Sequence, residues 1–415
     1  MSESTIIWII SLLSIAGVIL RPLKITEAVW AVSGALLLVL LQLISLADAW
    51  TGIYKGTDVY LFLFGMMLLA EVAREERLFD WLAAKAVMLA RGSSKRLFAL
   101  TYLVGIVVTI FLSNDATAVV LTPAVAAAIR AAKVSKPLPY LLICAFIANA
   151  ASFVLPISNP ANLVIYGASL PSLLHWLPRY LLPSILSIGL TYLLLYRTQK
   201  RSLETPLERS IELPALSPTG RSAAWGIAIT AAVLLVSSAW NIPLGMPTAV
   251  TGVLVAAFVL LKARKTPLTI IKGISWAVLP LVAGLFVIVE ALNKTGLIRV
   301  LARLLQHAAE HNIAGAAWGS GISIALISNL MNNLPSGLIA ADAVQAAHVP
   351  EMVRSAVLIG VDLGPNLSVT GSLATILWLV ALRREGQSIS AIAFLKLGLV
   401  IMLPALLAAI AALWL

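Results

Sequence analysis

The stretch Phe111-Leu112-Ser113-Asn114-Asp115-Ala116-Thr117 decides how the chain is read. It sets four polar side chains in the middle of an apolar run from Leu97 to Ala132. In hydrocarbon, each polar group without a partner costs several kcal/mol. A carboxylate at such depth is rare and by default marks a functional site. The chain does this again at Ser328-Asn329-Leu330-Met331-Asn332-Asn333-Leu334-Pro335-Ser336. Matching interruptions, one in each half, are the pattern of a secondary transporter with its site at mid-membrane.

The surroundings support a membrane setting. Of 415 residues, 60% are hydrophobic and 11% charged, with a mean hydropathy of +0.99. Soluble chains carry roughly 25% charged residues. Met1-Ser2-Glu3-Ser4-Thr5 lacks a basic n-region, and no small-residue cleavage site follows Ile6–Leu20, so that segment reads as a first span and not a leader. A single cysteine, Cys144, excludes a disulfide framework and an all-cysteine metal site, and its apolar setting points to inert packing. The net charge of +11 reports Lys/Arg-rich cytoplasmic loops and gives no ground for a nucleic-acid partner.

Outward from the opening stretch, Leu97–Leu112 and Thr117–Arg130 are each shorter than the roughly twenty residues of a full span. Both outer ends are basic: Arg91, Lys95 and Arg96 before, Arg130, Lys133 and Lys136 after. The positive-inside bias places both in the cytoplasm, which predicts a re-entrant hairpin over 97–132 with its tip at Ser113–Asp115. A single continuous span is the alternative and would strand one basic cluster outside. Upstream, Ile6–Leu20, Val29–Leu46 and Val59–Val72 read as spans, with Asp48–Gly56 a loop and the residues from Arg77 to Ala90 an interfacial amphipathic helix. Downstream, 138–170 is a helix broken at Pro156-Ile157-Ser158-Asn159-Pro160-Ala161-Asn162, because each proline removes a backbone donor. Pro171–Arg179 is then an outer loop and Tyr180–Tyr196 a span.

The polar linker 197–221 sits at mid-chain, and the order then repeats. Ser222–Trp240, Thr248–Leu261 and Ser275–Leu292 are spans. A second hairpin covers 313–347, a second broken helix 352–382 through Asp362-Leu363-Gly364-Pro365-Asn366, and Ile392–Leu415 is the last span. Residues 1–196 and 222–415 form two repeats of opposite insertion. A shift of 219 pairs Gly65 with Gly284, Glu71 with Glu290, Leu78 with Leu297 and Asn114 with Asn333, although overall identity at that shift is no more than composition gives. The expected fold is an all-α inverted-repeat membrane transporter with about ten transmembrane helices, two re-entrant hairpins and both termini outside.

Two tips and two breaks then converge. They carry Asn114, Asn159, Asn162, Asn329, Asn332, Asn333 and Asn366 with Ser113, Ser158, Thr370 and Ser372. Amides and hydroxyls donate and accept, so they suit a small polar solute without requiring charge. No Arg or Lys lies in the breaks, and an anion would rest on helix N-termini alone. Asp115 and Asp362 are candidates for proton exchange; helix capping or pairing with the hairpin amides is the competing reading for each. Glu71 and Glu290, near span ends, read as interface anchors. His307-Ala308-Ala309-Glu310-His311 matches an inverted zinc-protease motif, but no third ligand is near, and a solvated helix face explains it. An intramembrane hydrolase is thereby disfavoured; no catalytic residue, metal or cofactor is expected.

Ser113-Asn114-Asp115-Ala116-Thr117-Ala118-Val119-Val120-Leu121-Thr122-Pro123, Met331-Asn332-Asn333-Leu334-Pro335, Gly360-Val361-Asp362-Leu363-Gly364-Pro365 and Gly371-Ser372-Leu373-Ala374-Thr375-Ile376-Leu377-Trp378-Leu379 together resemble the bacterial arsenite/antimonite efflux permeases of the ion transporter superfamily. The resemblance spans nearly the whole chain. It implies extrusion of arsenite and antimonite, as neutral hydroxides, across the cytoplasmic (inner) membrane in exchange for protons; some members also work with a soluble arsenite-stimulated ATPase. Carried over by position, it implies a substrate site of Asn114, Ser158, Asn159, Asn332, Asn333, Gly371 and Ser372, with Asp115 and Asp362 for proton coupling. Two positions depart from the pattern: Pro160-Ala161 stands where Leu-Val is expected, and Asn366 where a Lys is expected. The first departure leans towards sodium/proton antiporters and small carboxylate transporters of the same superfamily.

Overall fold

The computed structural model describes residues 2–22, 25–167, 170–204 and 215–415. Leu23 and Lys24 of the first basic turn, and Pro206 and Pro214 of the linker, lie outside the described residues. Every regular element among the described residues is helical. The first half runs α1 (Glu3–Leu20), α2 (Glu27–Leu40), α3 (Leu46–Lys55), α4 (Thr57–Glu75), α5 (Leu78–Ala90) and α6 (Ser94–Phe111). A short α7 (Asn114–Ala116) continues through one π-helical turn (Thr117–Leu121) into α8 (Thr122–Ala131). Then come α9 (Leu138–Ala150), a 3-10 turn (Pro156–Ser158), α10 (Pro160–Tyr166) and α11 (Leu173–Gln199). The second half runs α12 (Pro218–Ala239), α13 (Gly245–Ala263), α14 (Leu268–Gly273), α15 (Val278–Lys294), α16 (Leu297–His311), α17 (Ile313–Met331) and α18 (Asn333–Ala347). It ends with α19 (Glu351–Leu363), a 3-10 turn (Gly364–Leu367), α20 (Leu373–Arg384) and α21 (Ala391–Ala411).

Among the described residues, seven helices are long and apolar enough to cross a membrane, or nine if the bent pairs α3–α4 (49°) and α15–α16 (75°) each count as one span. Two of the seven are α6 and α17, the entering arms of the expected hairpins. They are longer than the apolar pattern suggested: α6 gains a capped first turn, Ser93 accepting from Arg96 N, and α17 runs on through the polar residues Ser328 and Asn329 to Met331. Arm length therefore does not separate a hairpin from a span. Direction does. Residues 98, 105 and 110 on and near α6 meet 140, 147 and 158 in that order, through Phe98–Tyr140, Gly105–Ile147 and Ser158 Oγ donating to Ile110 O. Likewise Gly321 meets Ala356 and Gly360, and Ala325 meets Gly364. In both halves the helices before and after the tip run parallel, so the segment between them doubles back.

The two halves make corresponding bonds. Thr109 and Thr117 join hydroxyl to hydroxyl at 2.8 Å across the first tip; Ser328 and Ser336 do so at 2.9 Å across the second. Each residue of one pair is 219 positions from its counterpart. Beyond the hairpins the offset becomes 213, because the second returning arm is shorter: Leu138 and Glu351 open α9 and α19, and Pro160 and Leu373 open α10 and α20. The halves also interlock. α4 packs on α13, and α15 on α2. A Cβ on Gly65 would sit 2.3 Å from Thr248 O, and one on Gly284 would sit 2.8 Å from Ala31 C, so both crossings depend on glycine for backbone approach.

Two stretches differ from expectation. Asp48–Gly56 is not a loop: Ser45 caps α3 by accepting from Asp48 N, Asp48 lies in its first turn and Lys55 in its last, all favourable helix-end chemistry. Pro171–Arg179 is not a loop either, since α11 starts at Leu173 and carries Pro178 and Pro183 within it; prolines are tolerated where neighbouring helices re-satisfy the freed groups.

Candidate functional site

Both broken helices are tied by their own side chains. The Asn162 amide nitrogen donates to Ser152 O (2.9 Å), Leu155 O (3.3 Å) and Pro156 O (3.4 Å); the first and last are the carbonyls that Pro156 and Pro160 leave without helical donors. Asn159 caps α10, its Oδ1 accepting from Ala161 N at 3.0 Å. In the second half Ser372 caps α20 by accepting from Thr375 N at 3.0 Å. Asn329 donates to Ala325 O (2.7 Å) and Gly364 O (3.0 Å) and accepts from Ser368 (2.7 Å), which locks the second tip to the second break.

Four of the nine candidate residues meet around one cavity. Asn114 and Asp115 of the first tip, Asn159 of the first break and Asn333 of the second tip line it, with Leu63, Val278, Val282, Leu334 and the start of α20. Its volume of about 30 Å³ holds about two waters. Leu63, Asp115, Pro160 and Val278 also line a neighbouring vestibule of about 310 Å³, whose far end carries Glu71, Arg74 and Arg384. Asp115 thus stands where the two spaces join. Glu71 is buried and holds Arg74, whose Nε lies 2.8 Å from Oε2. Its partner in the repeat, Glu290, holds Lys55 at 2.6 Å.

The competing capping role of Asp115 is taken by its neighbours. Ser113 accepts from Ala116 N (3.2 Å), and Asn114 Oδ1 accepts from Asp115 N (2.9 Å). No hydrogen bond or ion pair from another described residue reaches the Asp115 carboxylate, which is half-buried.

The other five candidates do not line the cavity. Ser158 donates to Ile110 O at 3.0 Å and fastens the first break to α6. Asn332 has φ +73° and caps α18, its Oδ1 accepting from Leu334 N at 3.3 Å. Gly371 accepts from Asn333 N at 2.8 Å, and a Cβ there would lie 2.5 Å from Pro365 Cα and 2.6 Å from Asn329 Oδ1. Ser372 is fully buried and donates to Asn149 Oδ1 at 3.3 Å. Asp362, also fully buried, accepts from Asn159 Nδ2 on Oδ1 and from Ser152 on Oδ2, both at 2.8 Å. It lies one amide behind the cavity wall.

Two residues that the sequence reading passed over join the halves here. Asn149 donates to Asn366 Oδ1 (3.0 Å) and Thr375 Oγ1 (3.3 Å), and Ser152 meets Asp362. The available signal was the i, i+3 spacing of Asn149 and Ser152 just before a proline break, which a continuous helix would put on one face, although α9 itself ends at Ala150. The His307–Glu310–His311 motif lies on the exposed side of α16, and no group of His, Cys, Asp or Glu among the described residues could hold a metal. Cys144 is fully buried.

Comparison with known proteins agrees with this architecture. The chain is 27% identical over 97% of its length, and 97% of the relative's, to an arsenical pump membrane protein of Escherichia coli. It is 28% identical to one from Yersinia enterocolitica, over 88% of this chain and 87% of that one. Its fold matches the crystal structure of the Alcanivorax borkumensis YdaH transporter with a TM-score of 0.56 at 16% identity, covering 88% of this chain and 86% of that one. The family model described as citrate transporter (CitMHS) matches residues 6–361. A polar cavity between two folded-back tips, inside an all-helical apolar chain, is thus found in a multi-pass membrane transporter, and the chain belongs to the citrate transporter (CitMHS) family.

Proposed function

We propose that the protein exports trivalent arsenite and antimonite, as neutral hydroxides, across the cytoplasmic membrane in exchange for protons. The observation that carries this reading is the cavity lining: three side-chain amides and one carboxylate without a protein partner, and no Arg or Lys. A trihydroxide donates and accepts at every oxygen. Asn114, Asn159 and Asn333 offer both roles, and Asp115 accepts from a substrate hydroxyl. Ser158, Asn332, Gly371 and Ser372 act as positioning residues for those four. Asp115 and Asp362 are the candidates for the exchanged proton. An arsenical substrate also agrees with the names of the arsenical pump relatives.

The division into repeats of opposite insertion, 1–196 and 222–415, belongs to the same proposal. With Arg74 and Arg384 on the basic side, the vestibule opens to the cytoplasm, where an exporter collects its substrate. The second reading is export or uptake of a carboxylate, favoured by the description of the family model. It has the weaker site, because a carboxylate anion beside Asp115 meets a like charge and no cation at the cavity.

Uptake of arsenite into inside-out membrane vesicles with an acid lumen is the test. Arsenite accumulation that collapses with the pH gradient, without a sodium requirement and without competition from citrate, is the expected result. Sodium or citrate flux with no gradient-driven arsenite uptake contradicts the proposal.

A further inference from the structure

We propose that Asp362, and not Asp115, carries the exchanged proton, on Oδ2 at Ser152, and that Asn159 conveys its charge to the substrate cavity. This rests on the proton exchange proposed above. The geometry of one hydroxyl supports it. Ser152 Oγ lies 2.8 Å from Asn149 O and 2.8 Å from Asp362 Oδ2, and both are acceptors when the carboxylate is ionised. A serine hydroxyl has one hydrogen to give, so one of the two contacts is then left without a proton. With a proton on Oδ2, the carboxyl O–H donates to Ser152 Oγ, and Ser152 donates to Asn149 O. Every contact is served, with no heavy atom moved. Binding of H⁺ forms the O–H bond at Oδ2, and the Ser152 hydrogen swings from Oδ2 to Asn149 O; release reverses both motions.

The charge change has a route to the cavity. Asn159 Nδ2 donates to Asp362 Oδ1 at 2.8 Å, while its Oδ1 is held by Ala161 N. The amide is therefore fixed in orientation and lines the cavity. A bond to an ionised acceptor is about twice as strong as a neutral one, so protonation of Asp362 loosens Asn159 and with it the cap of α10. Asp115, by contrast, has no such neighbour.

The internal repeat adds an independent observation. At the offset of 213, Asp362 corresponds to Asn149, Asn159 to Ser372 and Asn162 to Thr375. The bond from Asn159 to Asp362 has its counterpart in the bond from Ser372 to Asn149 Oδ1, at 3.3 Å. The two breaks share one polar design, and a carboxylate replaces an amide at one member only. Other titratable groups stand apart from it. On the elements packed around α19, Tyr166 of α10 bonds Glu351, which also pairs with Arg354, eight to eleven residues before Asp362 on its own helix. Tyr140 and Cys144 of α9, Asp342 of α18 and Lys396 of α21 make no hydrogen bond or ion pair with it.

The test is arsenite uptake by the purified full chain in proteoliposomes with an acid lumen, recorded against external pH. Asp362→Asn is expected to drop to the level of protein-free liposomes. Asn149→Asp combined with Asp362→Asn is expected to regain gradient-driven uptake. Ser152→Ala is expected to displace the pH midpoint, and Ser152→Thr to restore it. A wild-type pH profile in Asp362→Asn, or in Ser152→Ala, overturns the inference. Where Asp362→Asn is not monodisperse after purification, the Ser152 pair decides alone by the same criterion. Wild-type protein that moves arsenite without response to the gradient refutes the proton exchange itself, a result distinguishable from either.

Discussion

Asn162 is the residue whose loss is predicted to cost most for its size. It is fully buried and gives its amide to three carbonyls around the first break. Asn162→Leu removes that donor from Ser152 O and Pro156 O, while Leu155 O keeps Ser158 N, and the expected cost is about 2–3 kcal/mol, read as a lowered unfolding temperature in detergent; an unchanged temperature contradicts this. Gly371 makes a second case. The family resemblance implies a binding role for it, whereas here it is the spacer that lets the second tip reach the second break. Gly371→Ala is expected to destabilise by about 1–3 kcal/mol through overpacking and to reduce transport with it. At this scale the sequence disclosed which polar residues lie at depth, but not which of them face the cavity. Asn114 and Asn332 are both tip asparagines whose Oδ1 accepts a nearby backbone N–H; the φ of +73° at Asn332 and the bond from its amide to Thr370 O separate their roles. Asn149 escaped notice because a single amide inside an apolar helix looks the same whether it meets lipid or another amide.

At the scale of elements, the hairpins and broken helices were legible because prolines and clustered amides interrupt apolar runs, and those interruptions force the backbone to find other partners. Helix ends were less legible. α3 was hidden in a polar stretch, α6 gained a turn from a cap outside the apolar run, and α17 continued helical through the polar residues of its tip. The packing between elements gives the sharper predictions. Gly65→Leu and Gly284→Leu push a side chain into the facing backbone, at Thr248 and Ala31, and each is expected to abolish a monodisperse size-exclusion peak. The Arg130–Glu385 ion pair, which joins α8 to the end of α20, is largely exposed on its arginine side. Glu385→Ala is expected to change stability by less than about 1 kcal/mol. A larger loss from Glu385→Ala than from either glycine variant would invert the proposed order of importance.

At the scale of the molecule, composition alone fixed the solvent, and the repeat organises the rest: two tips, two breaks and two glycine crossings in corresponding places. Orientation in the membrane is a separate claim with its own test. Cys144 is fully buried, so the native chain is expected to resist a membrane-impermeant maleimide. New cysteines then report topology one at a time: Ser2→Cys and Trp414→Cys are expected to label from outside the cell, and Arg201→Cys only in inside-out vesicles. Labelling of the first two from the cytoplasmic side would invert the proposed insertion and turn the vestibule outward. The central claim is that both halves contribute to one substrate cavity, and arsenite binding to the purified protein tests it most directly. Asn114→Ala in the first tip and Asn333→Ala in the second are each predicted to weaken the dissociation constant by roughly tenfold, about 1.4 kcal/mol. An arsenite affinity that survives either substitution unchanged would contradict a shared site.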